Sequence, residues 1–239
     1  MKAFHAHLLL TLLATVGPLW AQKPATPAAA TINSVRRIAP VYPYDLLIQG
    51  KTGWAEVQFT VEYSGRAILI RKTDASDEGF AKALMADIES NEFILPRVNG
   101  EPRLATSKQR FVFSGEASFD RDPVAKSVLT ELRKPKPAIV SVKELDKAPF
   151  PVHQDPPNFP VALQSDGISG QAEIEFVIDR DGRVLFPRIV SSSHEDFGWA
   201  AAAAISRWRF QSPMKGGAKV DARMSIVINF DAGKLAATW

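Results

Sequence analysis

Residues 171–178, Gln-Ala-Glu-Ile-Glu-Phe-Val-Ile, alternate: Ala172, Ile174, Phe176 and Ile178 share one face, and Glu173 and Glu175 the other. A period of two predicts a half-buried strand. Asp179-Arg180-Asp181-Gly182 then reads as a hairpin turn, with Gly182 free to take a positive φ. A second strand runs through Val184–Ser193, and Pro187 within it marks an edge or a bulge. The period changes over residues 194–210, where Phe197, Ala201, Ala204 and Trp208 recur at helical spacing with Ile205 beside them. Residues 212–219 are a turn, and Val220–Phe230 is a last strand with Met224, Ile226, Ile228 and Phe230 on one face. Prolines and a single helical turn over residues 157–170 precede all of this. The order helical turn, strand, strand, helix, strand predicts a three-stranded antiparallel sheet with a helix on one face.

The same pattern occurs earlier in the chain. A shift of 117 positions lays residues 40–113 on residues 157–230 without a gap, with about 22 of 74 positions identical. Gly50, Gly53, Gly65 and Gly100 fall on Gly167, Gly170, Gly182 and Gly217. Phe59, Phe80, Phe93 and Phe113 fall on Phe176, Phe197, Phe210 and Phe230. These eight aromatics and Trp208 are the expected core; the first copy has Asn91 where the second has Trp208. The fold class is therefore α+β, as two tandem αββαβ modules. Two copies are too few for a solenoid, but each is long enough to fold around its own modest core. The expected layout is an N-terminal segment over 1–21, a tether over 22–35, module 1 over 36–115, a linker over 116–147, module 2 over 148–232 and a tail over 233–239. In the linker, Asp122 and Pro123 start a helix whose buried face is expected to be Val124, Val128, Leu129 and Leu132. Arg133–Pro137 is then extended, and Ala138–Val142 forms a short strand.

Lys2 and two histidines precede an apolar run from Leu8 to Trp20, followed by Ala21-Gln22. This reads as a signal peptide, since about 13 apolar residues fall short of the roughly 20 that span a bilayer as a helix. The alternative is a short uncleaved anchor. Residues 23–31, Lys-Pro-Ala-Thr-Pro-Ala-Ala-Ala-Thr, are an extended tether.

Composition removes function classes more than it adds them. A net charge of +3 over 239 residues, without a basic block, argues against nucleic acid. The lack of cysteine excludes disulfides, thiolate metal sites and a cysteine nucleophile. Only His153 and His194 follow the N-terminal segment, too few for a histidine-based metal site. Asp179–Gly182 resembles the start of a calcium loop, but the twelfth position is Val190 rather than an acid. Ser193, His194, Glu195 and Asp196 are adjacent in sequence and read as a strand end and a helix N-cap. Arg207 and Arg209 read as offsetting a helix C-terminus. No catalytic, cofactor or metal residues are expected, and the protein reads as a non-enzyme. The alternative from another class is an enzyme using the cleft between modules.

A sheet edge carries unpaired backbone groups that an extended peptide can join. The last strand is the candidate, with Arg223, Ser225, Ile226, Val227, Ile228 and Asn229 as partner-binding residues. The same edges offer a route to a homodimer.

The proline-aromatic-proline start, Val177–Val184, the serine-rich end Ile189–Ser193, residues 197–213 ending in Trp-Arg-Phe-Gln-Ser-Pro, and Met224–Phe230 together resemble the TonB C-terminal domain family. The resemblance spans roughly 38–113 and 150–230 and is stronger in the second module. It implies a periplasmic, protein-binding role linked to outer-membrane transport. In that family the domain binds the TonB box of an outer-membrane transporter by strand addition. A family member anchored in the inner membrane works beside ExbB and ExbD as an energy transducer. The short apolar run and short tether depart from that layout. A periplasmic adaptor is therefore the leading expectation, and an inner-membrane, ExbB/ExbD-coupled transducer facing the periplasm is the alternative.

Overall fold

The computed structural model describes residues 32–35 and 39–233; the N-terminal apolar run, most of the tether and residues 234–239 lie outside the described residues. The first module contains β1 (Asn33–Ser34), α1 (Tyr44–Ile48), β2 (Gly53–Val61), β3 (Ala67–Ala75), α2 (Glu78–Ser90), β4 (Phe93–Ile94), β5 (Arg97–Val98), β6 (Glu101–Pro102) and β7 (Ala105–Phe113). The linker contains a 3-10 turn at Gly115–Phe119, α3 (Pro123–Leu132), β8 (Val140–Ser141) and a second 3-10 turn at Val142–Glu144. The second module contains β9 (Pro151–His153), α4 (Val161–Ser165), β10 (Gly170–Ile178), β11 (Val184–Ser192), α5 (Glu195–Ile205), β12 (Arg209–Phe210), β13 (Met214–Lys215), β14 (Ala218–Lys219) and β15 (Ala222–Phe230).

The fold is α+β. The first sheet runs β3-β2-β7, all antiparallel, and the second runs β11-β10-β15-β8, with β8 parallel to β15. The shift of 117 relates the two in detail. Register irregularities fall at Glu56/Val57 and Gln58/Thr60 in one module and at Glu173/Ile174 and Glu175/Val177 in the other. The bulged strands hold Leu69 at φ 51° and Phe186 at φ 52°, again 117 residues apart. Phe80 stacks on Phe113 with ring centroids 4.5 Å apart, and Phe197 stacks on Phe230 at the same distance. All nine aromatic residues expected in the core are buried.

Both helices end earlier than their apolar spacing predicts. α5 stops at Ile205 rather than reaching Phe210. Trp208 is fully buried past the helix end and donates its indole N–H to the Asp155 carbonyl at 2.8 Å. Arg209 and Phe210 then pair with β9, and the Phe210 N–H donates to the Gly182 carbonyl at 2.8 Å. These long-range backbone bonds replace the ones a longer helix would make. Gly182 sits at φ 82°, and a Cβ there would come 1.9 Å from the Phe210 carbonyl oxygen. The hairpin turn therefore needs glycine both for its dihedral angle and for this close approach. In the first module α2 stops at Ser90, and Phe93 lies in β4 against β1.

The linker helix α3 packs Ala125, Val128, Leu129 and Leu132 between Leu47 of the first module and Val177 and Phe186 of the second. Ala125 takes the fully buried position expected of Val124, which is half-buried, because the face turns toward Leu47 and Phe186. The second sheet is thus covered on both faces, by α5 and by α3.

α2 packs directly on α5, so the modules share an interface. The Glu89 carboxylate accepts the Val161 N–H at 2.8 Å, which caps α4 from the other module. Asn158 donates to the Glu89 carbonyl at 3.2 Å, and Arg207 donates to the Ser90 hydroxyl at 3.2 Å. Lys82 pairs with Glu195 at 3.3 Å. Beside these lies Asp87, whose burial raises its carboxyl from the ordinary 3.8 to about 7 against the opposing effects of Asn91 and Arg207. A raised folded-state value means that the folded protein holds the proton more tightly than the unfolded chain. The stability it contributes is present below pH 4 and is lost as pH rises through 7. Taking the sample from pH 8 to pH 5 should therefore add about 2–3 kcal/mol through this group. Asp87→Asn should remove that increment and be the more stable protein at pH 8, as urea titrations at both pH values would read. An unchanged pH profile in Asp87→Asn would show that another group carries it.

Candidate functional site

The open side of β15 is built by hydrogen-bond register. Ser193 and Gln171 exchange bonds, through the Ser193 N–H to the Gln171 carbonyl at 2.9 Å and the Gln171 N–H to the Ser193 hydroxyl at 2.9 Å. The backbone of Gln171 therefore faces the β11 side, and that of its cross-strand partner Asn229 faces away from β10. Period two then turns the backbones of Arg223, Ser225, Val227 and Asn229 outward, and those of Ile226 and Ile228 inward to β10. The side chains follow the same division. Ile228 and Phe230 are buried and Ile226 is half-buried against the core, while Ser225, Val227 and Asn229 are exposed.

The six candidate residues thus separate. Ile226 and Ile228 serve the core and the β10 ladder. Arg223 is not open, because β8 pairs there: Val140 lies opposite Ala222 and Ser141 opposite Arg223, and the Val140 N–H donates to the Asp221 carbonyl at 3.1 Å. Ser225, Val227 and Asn229 remain as an outward-facing strip, without a paired strand among the described residues. Sequence reasoning missed β8 as a member of this sheet. Its signal was only the apolar stretch Ala138–Val142, which carries no information about which edge it joins.

One cleft between modules has a volume of about 290 Å³ and is walled by Ile68, Leu69, Met85, Val161 and Trp199; a second, of about 300 Å³, lies between Ser90, Asn91 and Glu92 on one side and Asp155, Asn158 and Arg207 on the other. The charged residues of the first are Lys82, Glu89 and Asp196. Burial raises the Glu89 carboxyl, but that carboxylate is engaged in capping α4, and Lys82 in pairing with Glu195. Serine, histidine, cysteine and tyrosine are not among the residues that line this first cleft. The Asp179 carboxylate, suggestive of a calcium loop in sequence, instead accepts the N–H groups of Asp181 and Arg183 at 2.9 and 2.8 Å within its hairpin. His194 caps α5, accepting the Asp196 N–H at 3.3 Å. Among the described residues no helix is long and apolar enough to cross a membrane, and no group of three His, Cys, Asp or Glu residues is placed to hold a metal ion.

Comparison with known proteins finds a match in the part of the chain that carries this edge. Residues 155–232 match the model for the Gram-negative bacterial TonB protein C-terminal region. Protein TonB of Pseudomonas aeruginosa is 32% identical over 81 residues, which is 34% of this chain and 23% of that protein. The solution structure of the Pseudomonas aeruginosa TonB C-terminal domain shares 25% identity, with a TM-score of 0.31, over 36% of this chain and 88% of that one. TonB2 of Vibrio anguillarum shares 23% identity, with a TM-score of 0.28, over 45% of this chain and 96% of that one. Residues 155–232, which carry the β15 edge, are similar to the TonB C-terminal domain family.

Proposed function

We propose that the chain is a non-enzymatic adaptor of the cell envelope, exported to the periplasm, that captures an extended protein segment by adding it as a strand beside β15. The observation that carries this reading is the outward backbone of Ser225, Val227 and Asn229, in the module that matches the TonB C-terminal family. Main-chain bonds along such an edge supply affinity, and alternate side chains supply selectivity. By family resemblance the segment is the TonB box of an outer-membrane transporter.

Val227→Pro tests this. It deletes one outward N–H and leaves the inward ladder to β10 intact, which proline tolerates at an edge. Binding of a labelled TonB-box peptide should weaken about tenfold or more, with far-UV circular dichroism unchanged. Undiminished binding by the folded variant would overturn strand addition at β15. The absence of native cysteine allows a second readout, since Val227→Cys gives a single thiol for cross-linking to the peptide.

A further inference from the structure

We infer that β7 of the first module is a second strand-capture edge, and that it takes an extended protein segment with carboxylates at alternate positions. This rests on the strand-addition reading above but concerns a different strand and a different chemistry.

The register is established independently in this module. The Ser76 N–H donates to the Trp54 carbonyl at 3.0 Å and the Trp54 N–H donates to the Ser76 hydroxyl at 2.8 Å, so the backbone of Trp54 faces the β3 side. Its partner on β7 is Val112. The backbones of Val112, Arg110, Lys108 and Thr106 therefore point away from β2. β7 is a nine-residue edge strand with no second neighbour among the described residues.

The corresponding edge in the other half of the molecule is seen to accept a strand. β8 adds to β15 at Ala222 and Arg223, with the Asp221 carbonyl as acceptor. The positions 117 residues earlier are Leu104, Ala105 and Thr106. There no described segment occupies the edge, and Leu104 and Val112 are exposed at its two ends. The linker therefore shortens the open edge of the second module and leaves that of the first at full length.

The charges select the occupant. Lys108 and Arg110 alternate along the solvent face of β7, where β15 has the neutral Ser225 and Val227. The Arg110 guanidinium lies 3.6 Å from the centre of the Trp54 ring, which holds it over the sheet. Lys108 is 3.2 Å from Glu56, the one carboxylate within ion-pair distance of either cation among the described residues. A strand added beside β7 would bring its own alternate side chains across from these two cations, where opposite charges stabilise and like charges oppose pairing. A second copy of β7 would place lysine and arginine against each other, so the same pattern disfavours self-pairing.

The test uses the whole chain and two fluorescein-labelled peptides, one alternating glutamate and valine, the other lysine and valine. Anisotropy should show binding of the glutamate peptide, at least tenfold weaker binding of the lysine peptide, and at least a tenfold loss in the exposed double variant Lys108→Glu/Arg110→Glu. Hydrogen exchange should show protection of the amides of Thr106, Lys108, Arg110 and Val112 by the glutamate peptide. Val112→Pro, which deletes an outward N–H without touching a charge, should weaken binding while the fold is retained. Equal binding of both peptides would overturn the proposal, as would indifference to charge reversal. Protection confined to Ser225, Val227 and Asn229 would overturn it and leave the β15 reading standing. A concentration-dependent dimer with protected β7 amides in the absence of peptide would also overturn it.

Discussion

Trp208→Ala should lower the stability of the second module by roughly 3–5 kcal/mol, the range for emptying a fully buried large aromatic site. Trp208 is 0% exposed and packs in one cluster with Phe176, Phe210, Ala201 and Ile205. α5 carries five consecutive alanines, Ala200–Ala204, which let the helix lie close to the sheet but fill little volume. The indole supplies that volume and also anchors the Asp155 carbonyl. Trp208→Phe separates the two roles, since it keeps much of the ring volume and loses the donor, and should cost about 1–2 kcal/mol. Urea unfolding followed by circular dichroism reads both variants. A loss below 1 kcal/mol for Trp208→Ala would mean that the neighbours collapse into the site. The first module dispenses with this tryptophan for a visible reason. Leu84 and Met85 stand where the second module has Ala201 and Ala202, so the volume is supplied along the helix instead of at its end. Asn91, at the Trp208 position, donates its side-chain amide to the Asp87 carbonyl at 2.8 Å and finishes α2.

Arg183→Ala is expected to cost about 3–5 kcal/mol, because it leaves a buried carboxylate without its cation. The Arg183 Nε–H donates to Asp179 Oδ2 at 2.7 Å, and Nη1 and Nη2 donate to the two oxygens of Asp122 at 2.6 and 3.1 Å. Asp179 is completely buried, and Asp122 is the N-cap of α3, accepting the Ala125 N–H at 3.0 Å. The Arg183 bond holds the Asp122 carboxyl below its ordinary value. One guanidinium therefore joins the β10–β11 hairpin to the linker helix. Two readouts follow in Arg183→Ala: a lower urea midpoint for the whole chain, and faster amide exchange in α3 than in α5. Exchange in α3 that matches the wild type would show that the apolar face of Ala125, Val128, Leu129 and Leu132 holds the linker alone. The double variant Arg183→Met/Asp179→Asn should recover part of the loss, since it no longer buries an unpaired charge.

Much of the fold was legible along the chain. The alternation at Ala172–Ile178, the turn at Asp179–Gly182 and the spacing of Phe197 and Ala201 are local patterns set by periods of two and 3.6. The offset of 117 needs only comparison of the chain with itself. The helix ends were not legible, because Trp208 continues the apolar spacing of α5. Its removal from the helix depends on Asp155 and Gly182, 53 and 26 residues away in sequence. The edge residues were legible as a strand, and period two separates outward from inward once one cross-strand bond is known. That first bond, Gln171 to Ser193, is a tertiary fact.

The sequence by itself determined the α+β class and the apolar faces of β10, β15 and α5, because each of these is written in neighbours a few residues apart. Only the tertiary structure decided which strand edges are left without a neighbour among the described residues. Whether β15 or β7 keeps its outward amides depends on where the linker strand β8 comes to rest. That resting place follows from packing α3 against Leu47, Val177 and Phe186, residues far apart in the chain. Backbone groups at an edge are chemically alike in every residue but proline, so side-chain pattern alone cannot tell a covered edge from a free one.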